Sequence, residues 1–158
     1  MQKGRELEKG TKRLLEMALR LEQEMPGKCQ AVCASGLPLH EYLERMRQSH
    51  IVLDQLYSYS PGTNAFQAMA LGRVAATGAQ PEYYDYIGQG EAHPLISLSP
   101  LIPEPELKEQ FRSLILAPEK MQNMAAEGRK IVERDNDVRI VAAKFQQHWQ
   151  KILSNGQA

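Results

Sequence analysis

The stretch from Thr63 to Gly88 limits most sharply what this chain can fold into. A helical pattern over Thr63 to Leu71 closes on Gly72. The next run, Val74-Ala75-Ala76-Thr77, is small or apolar at nearly every position. A second short helical pattern, Pro81 to Ile87, then closes on Gly88. Glycine is the residue that most readily takes the left-handed turn ending a helix. A strand with no polar face must be covered on both sides, and the helices flanking it supply the cover. Ile51-Val52-Leu53 and Leu95 to Leu98 repeat the theme, and Cys29 to Ser35 reads as an earlier strand of the same kind. The pattern predicts an α/β domain built on a doubly wound parallel sheet. Ligands of such sheets sit beyond the carboxyl ends of the strands, so the loops after Ser35, Leu53 and Thr77 are where function is expected.

The remaining segments read as helices. Leu14, Ala18, Leu21 and Met25 recur on one helical face until Pro26-Gly27 stops the pattern. After the turn Gly36-Leu37-Pro38, residues Leu39 to Gln48 form a short helix with Tyr42, Leu43 and Met46 inward. From Pro103 onward the chain is helical, broken at Pro118 and at Asp135-Asn136-Asp137. The terminal helix, expected over 137–153, carries the stripe Val138, Val141, Ala142, Phe145, Trp149 and Ile152. The first helical pattern begins near residue 4 with no strand before it. Because doubly wound sheets usually open with a strand, we expect residues 1–158 to be one domain of a larger architecture.

Composition narrows the functional classes. The length of 158 residues is that of one domain. Lys+Arg and Asp+Glu balance at 19 each, so net charge gives no reason to expect nucleic acid or an anionic membrane as partner. No apolar run approaches the roughly 18 residues of a membrane span, and the charged start does not resemble a secretory signal. Cys29 and Cys33, four apart on the expected strand, would share a face about 13 Å apart, too far to bridge. They are expected to be two buried thiols in a reducing cytoplasm. Four scattered histidines and no paired spacing make no zinc site.

Two segments carry candidate chemistry. Gly4-Arg5-Glu6-Leu7-Glu8-Lys9-Gly10-Thr11 places Arg5 and Lys9 at the mouth of the first helix. Unpaired N–H groups and the positive dipole end make a helix start suited to a diphosphate. A guanidinium fork and an ammonium add to that fit. The simpler reading is a charged helix end whose cations neighbour glutamates. In the second segment, Asp54-Gln55 ends a strand, Tyr57 to Asn64 forms a loop, and the small-residue helix Ala65-Phe66-Gln67-Ala68-Met69-Ala70 follows. Gly62 permits close backbone approach, and Thr63 or Asn64 is expected to cap the helix. An ordinary capped helix on a sheet accounts for the same residues.

Together these segments resemble the carboxyl-terminal domain of group 1 (family 4-like) retaining glycosyltransferases, which have two facing Rossmann-like domains. The resemblance runs from about residue 5 to 152. It is carried by Lys9-Gly10-Thr11, by Gln67-Ala68-Met69-Ala70-Leu71-Gly72 before the strand Val74 to Thr77, and by Gly78-Ala79-Gln80-Pro81-Glu82. The tail adds Arg129-Lys130-Ile131-Val132, Val141-Ala142, Phe145 and Trp149. It implies a nucleotide-diphosphate-sugar donor bound here, with no metal or cofactor required, and an acceptor bound by an absent amino-terminal domain. Hexosyl transfer to an acceptor hydroxyl, in bacterial surface-polysaccharide synthesis, is the implied activity. The donor-binding residues would be Arg5, Lys9, Tyr59, Ser60, Gly62, Thr63, Asn64 and Gln67; no catalytic residue is assigned. The implied location is the cytoplasm, with a peripheral place at the inner membrane face for the full-length protein.

The sequence departs from the family at two of these positions. The family carries two glutamates seven residues apart, where this chain has Tyr59 and Gln67. Gln67 can still bond a ribose diol but without a charge-assisted bond. A degenerate nucleotide-binding or protein-interaction module is therefore the alternative. A flavodoxin-like or receiver-like domain is a further one, weakened by the lack of clustered acids beside Asp54. The resemblance also implies that the terminal helix packs against the missing domain, so the isolated domain is expected to self-associate; packing on its own sheet is the simpler reading.

Overall fold

The computed structural model describes residues 9–88 and 93–155. In chain order the elements are α1 (Thr11–Glu24), α2 (Leu39–Gln48), β1 (Ile51–Leu53), α3 (Thr63–Ala70), β2 (Val74–Gly78), α4 (Pro81–Ile87), β3 (Ile96–Leu98), α5 (Glu104–Ile115), α6 (Pro118–Asp135) and α7 (Val138–Asn155). The three strands form an open parallel sheet in the order β1-β2-β3. The register pairs Ile51 with Val74 and Ala76 with Ile96.

The alternation of side chains along β2 organises the core. Val74 and Ala76 face one layer, where they meet Leu14, Met17 and Leu21 of α1 and Leu107, Phe111 and Leu114 of α5. Ala75 faces the other, with Ala65, Ala68 and Met69 of α3, Tyr83 and Ile87 of α4, and Ile131 of α6. Every residue of β2 is buried, as its nearly continuous run of small and apolar residues requires. The helices α3 and α4, which connect successive parallel strands, both pack into this second layer. Burying each larger side chain of these layers contributes roughly 1.5–3 kcal/mol before the entropy of ordering is counted. The small residues Ala65 and Ala68, both fully buried, let α3 lie close to the sheet. Ion pairs outside the core link α1 to α5: Arg20 forks onto Glu104 through two bonds of 2.9 Å, and Glu24 takes Arg112 and Lys108.

The structure corrects the sequence reading in three places. Residues 29–35 are not a strand; they run back from α1 without joining the sheet, where the Ala31 N–H donates to the Glu22 carboxylate at 3.2 Å. The loop after Ser35 is therefore not at a strand end. Nor are the thiols both buried: Cys29 is half-buried against the first core layer and Cys33 is exposed, each free. Finally, Met17 joins Leu14 and Leu21 as a buried residue of α1, ahead of the buried Met25 at its end, a position absent from the stripe read off the sequence. The expected helix over 137–153 is present as α7, and among the described residues no helix is long and apolar enough to cross a membrane.

Candidate functional site at the carboxyl ends of the strands

A buried carboxylate organises the carboxyl end of the sheet. Asp54 follows β1 directly and is only 4 % exposed. Its N–H donates to Ala76 O at 2.9 Å, which continues the β1–β2 ladder by one residue. Its carboxylate accepts from Asn64 Nδ2 at 3.2 Å and from Thr77 Oγ1 at 3.4 Å. Lys9 Nζ stands 3.5 Å from the Oδ1 atom that Asn64 also reaches. A charge so placed needs both a counter-ion and hydrogen bonds to be tolerated, and these three side chains supply them from three separate segments. Gly62 closes the group: a Cβ there would lie 3.0 Å from Asp54 Oδ2 and 3.1 Å from Gln55 Nε2.

The loop over residues 55–60 forms the next layer and is held by main-chain bonds. Leu56 N–H donates to Lys9 O at 2.8 Å, Gly78 N–H to Gln55 O at 2.9 Å, and Gln80 N–H to Tyr59 O at 3.0 Å. Two glycines make that closeness possible. Gly10, at φ 66°, leaves no room for a Cβ beside Leu56 and Tyr57, each 2.9 Å away. At Gly78 a Cβ would fall 2.0 Å from the Ser58 carbonyl oxygen. Ser58 Oγ in turn donates to Ser60 O at 2.6 Å.

Beyond this layer an open cavity of about 340 Å³ lies past the ends of β2 and β3. Gln80, Pro81, Tyr84, His93, Ser97 and Ser99 are among its walls. The Tyr84 hydroxyl and Ser97 Oγ share a 2.5 Å hydrogen bond, and the His93 ring meets Tyr84 edge-on at 4.7 Å. Burial pushes the Tyr84 phenol above its ordinary range, against the opposing pull of the Ser97 bond. Gln80, whose N–H bonds Tyr59 O of the 55–60 loop, also lines the cavity.

The residues singled out by sequence divide accordingly. Lys9, Gly62 and Asn64 come together around Asp54. Tyr59 projects from the loop, 82 % exposed, with Ser60 and Thr63 exposed beside it. Gln67 is half-buried one turn into α3. Arg5 lies outside the described residues. Neither Thr63 nor Asn64 caps α3: the helix begins at Thr63, so both lie inside its first turn and the cap position falls on Gly62, which has no side chain to bond the helix start. The N–H groups of the first turn are thus left without a side-chain cap, at the same edge as Lys9. Asp54 and Thr77 were not among the residues picked from sequence. The signal for Asp54 was its place as an acid directly after an apolar strand.

Fold and site together define an α/β protein with an open parallel sheet and a polar cluster beyond its strand ends. The chain matches no protein-family model, no curated protein and no solved structure at a significant level.

Proposed function

We propose that the chain is the donor domain of a retaining glycosyltransferase of Rossmann-like build, binding a nucleotide-diphosphate sugar at the carboxyl ends of β1 and β2. The observation that carries this reading is the Lys9–Asp54 pair beside the uncapped start of α3. The Asp54 carboxylate, 3.5 Å from Lys9 Nζ, holds the ammonium at the strand ends, and its three donors suit an anion placed there. Its side chain is 30 % exposed, open to a ligand. The first turn of α3 adds backbone N–H groups and the positive end of a dipole. In this scheme the acceptor hydroxyl oxygen bonds to the sugar's anomeric carbon as the bond from that carbon to the diphosphate breaks, the hydroxyl proton leaves with the diphosphate, and the remaining diphosphate charge is met by Lys9 and the α3 start. The acceptor hydroxyl would be held outside these residues.

Calorimetric titration of nucleoside diphosphates and their hexose conjugates tests the reading. Weak saturable binding that vanishes in Lys9→Ala is the expected result; equal affinity in wild type and variant would refute the role of Lys9. A second reading is favoured by the absence of carboxylates at Tyr59 and Gln67: a nucleotide-binding module without transfer. An assay of diphosphate release from bound donor by the full-length protein separates the two.

A further inference from the structure

We propose that the cavity past β2 and β3 is a subsite for one uncharged hexosyl ring, selected by Gln80, Asp85 and His93. The inference rests on the nucleotide-sugar reading for what joins that ring to a diphosphate. The cavity's preference for such a ring stands on its own walls.

Lys9 and the start of α3 mark the place of an anion at the end of β1. The cavity, of about 340 Å³, lies past the ends of the two strands beyond it. Neighbouring strands are roughly 4.8 Å apart, so one to two spacings, about 5–10 Å, separate the two places. That step suits a sugar ring attached to a diphosphate. The main chain also couples them, since Gln80 lines the cavity and donates its N–H to Tyr59 O at 3.0 Å.

The walls disfavour a phosphate and suit hydroxyl groups. Among the described residues that line the cavity there is no Lys or Arg, so an anion finds no fixed counter-charge there. The carboxylate of Asp85 accepts charge-assisted bonds from hydroxyl donors. The Gln80 amide and the His93 imidazole each donate and accept. These three side chains have no hydrogen-bond partner among the described residues, so their bonding capacity is open to a ligand. An organic cation would satisfy Asp85 but leave the amide and the imidazole unused. Pro81, Leu98 and Ile102 give apolar surface for the C–H groups of a ring. The volume stands at the low end of small-ligand pockets, roughly 300–1,000 Å³, which matches one ring better than a nucleotide.

The site is held in shape from behind. Tyr84 is buried, and its hydroxyl bond to Ser97 Oγ ties α4 to β3. His93 is exposed, yet its ring rests edge-on against Tyr84, and the next residue, Pro94, is fully buried. The imidazole is therefore placed before a ligand arrives, which lowers the cost of ordering it.

Saturation-transfer NMR with the methyl pyranosides of glucose, galactose and mannose tests the subsite. These probes carry no phosphate, so they read the cavity alone, while diphosphate titrations of Lys9→Ala read the donor assignment. The expected result is saturable transfer to at least one glycoside, with discrimination among the three. The variant Asp85→Asn/His93→Ala, folded by circular dichroism, should bind that glycoside more than about tenfold less tightly, the loss of one charge-assisted bond alone approaching that factor. Transfer to none of the glycosides, or equal transfer in wild type and variant, would overturn the inference whether or not diphosphates bind. Transfer to ethanolamine but to no glycoside would overturn it in favour of an organic cation. Glycoside binding that the variant loses, in a chain that binds no nucleoside diphosphate, would uphold the sugar subsite and refute the donor reading.

Discussion

The ammonium of Lys9 stands 3.5 Å from the carboxylate of Asp54, and that carboxylate is almost sealed from water by its own fold. The pair joins the entrance of the first helix to the end of the first strand. It therefore links stability to the proposed site, and the two roles can be separated.

Asp54→Ala removes the acceptor shared by Lys9, Asn64 and Thr77. Leaving buried donors unpaired and the pair broken should cost about 3 kcal/mol. Lys9→Ala leaves the almost sealed carboxylate with two neutral donors and no counter-ion, and should cost about as much. The double variant Lys9→Met/Asp54→Asn removes both charges and should be less destabilised than either single alanine variant, yet lack the cation proposed to meet an anion. Urea unfolding midpoints give the order directly; a double variant that still binds nucleoside diphosphates as wild type does would mean that Lys9 serves the fold rather than a ligand.

Gly78→Ala tests the contact between β2 and the loop. The new Cβ would meet the Ser58 carbonyl oxygen at 2.0 Å, a clash with main chain that no side-chain movement relieves. We expect a loss of more than about 3 kcal/mol in thermal unfolding. Gly72→Ala is the control: it is strained by its φ of 66° but meets nothing within 4 Å, and should cost about 1 kcal/mol.

Gln67→Glu should tighten binding of the nucleoside part, because a carboxylate accepting from a ribose hydroxyl bonds roughly twice as strongly as a neutral amide. Gln67 is half-buried, so the new charge keeps contact with water and its desolvation cost is small. Calorimetry reads the outcome. A loss of affinity with the fold intact would show a pocket built around the amide.

The Tyr83 hydroxyl is buried and has no hydrogen-bond partner among the described residues, and burial first, then the neighbouring Tyr84, pushes its phenol up to about 12. The folded state thus holds this proton more tightly than the unfolded state, whose phenol titrates near 10. The stability involved is fully present below pH 10 and is lost as pH rises from 10 to 12, by about 2 kcal/mol. Tyr83→Phe removes both the titration and the unpaired hydroxyl. At neutral pH it should be neutral or stabilising by up to about 1 kcal/mol, and its advantage over wild type should grow in alkaline unfolding curves. A constant difference across that range would exclude Tyr83 as the titrating group.

The helices and the three strands were readable because each is announced by local chemistry: apolar runs of strand length, helix-ending glycines at 72 and 88, prolines at 81 and 118. Residues 29–35 misled because a short apolar run settles neither pairing nor burial: only Cys29 packs on the first core layer, while Val32 and Cys33 are exposed and no strand partners the segment. The site was half legible. Lys9, Gly62 and Asn64 stand out by residue type and position, but their meeting at Asp54 depends on a fold that brings together positions 45 and 10 residues apart along the chain. The cap was misread for a separate reason: the helix starts one residue after Gly62, so Thr63 and Asn64 fall inside its first turn, and a boundary one residue off moves the cap from a polar side chain to a glycine.

The 55–60 loop is tied to Lys9, Gly78 and Gln80 through backbone atoms, and the side chains that hold it are Leu56, buried in the core, and Ser58, bonded to Ser60 O. Its shape is accordingly indifferent to which residues stand at positions 57, 59 and 60. A lineage could exchange Tyr57, Tyr59 or Ser60 one at a time and redirect what the loop recognises, while the strands, the two close-packed glycines and the buried aspartate stayed as they are.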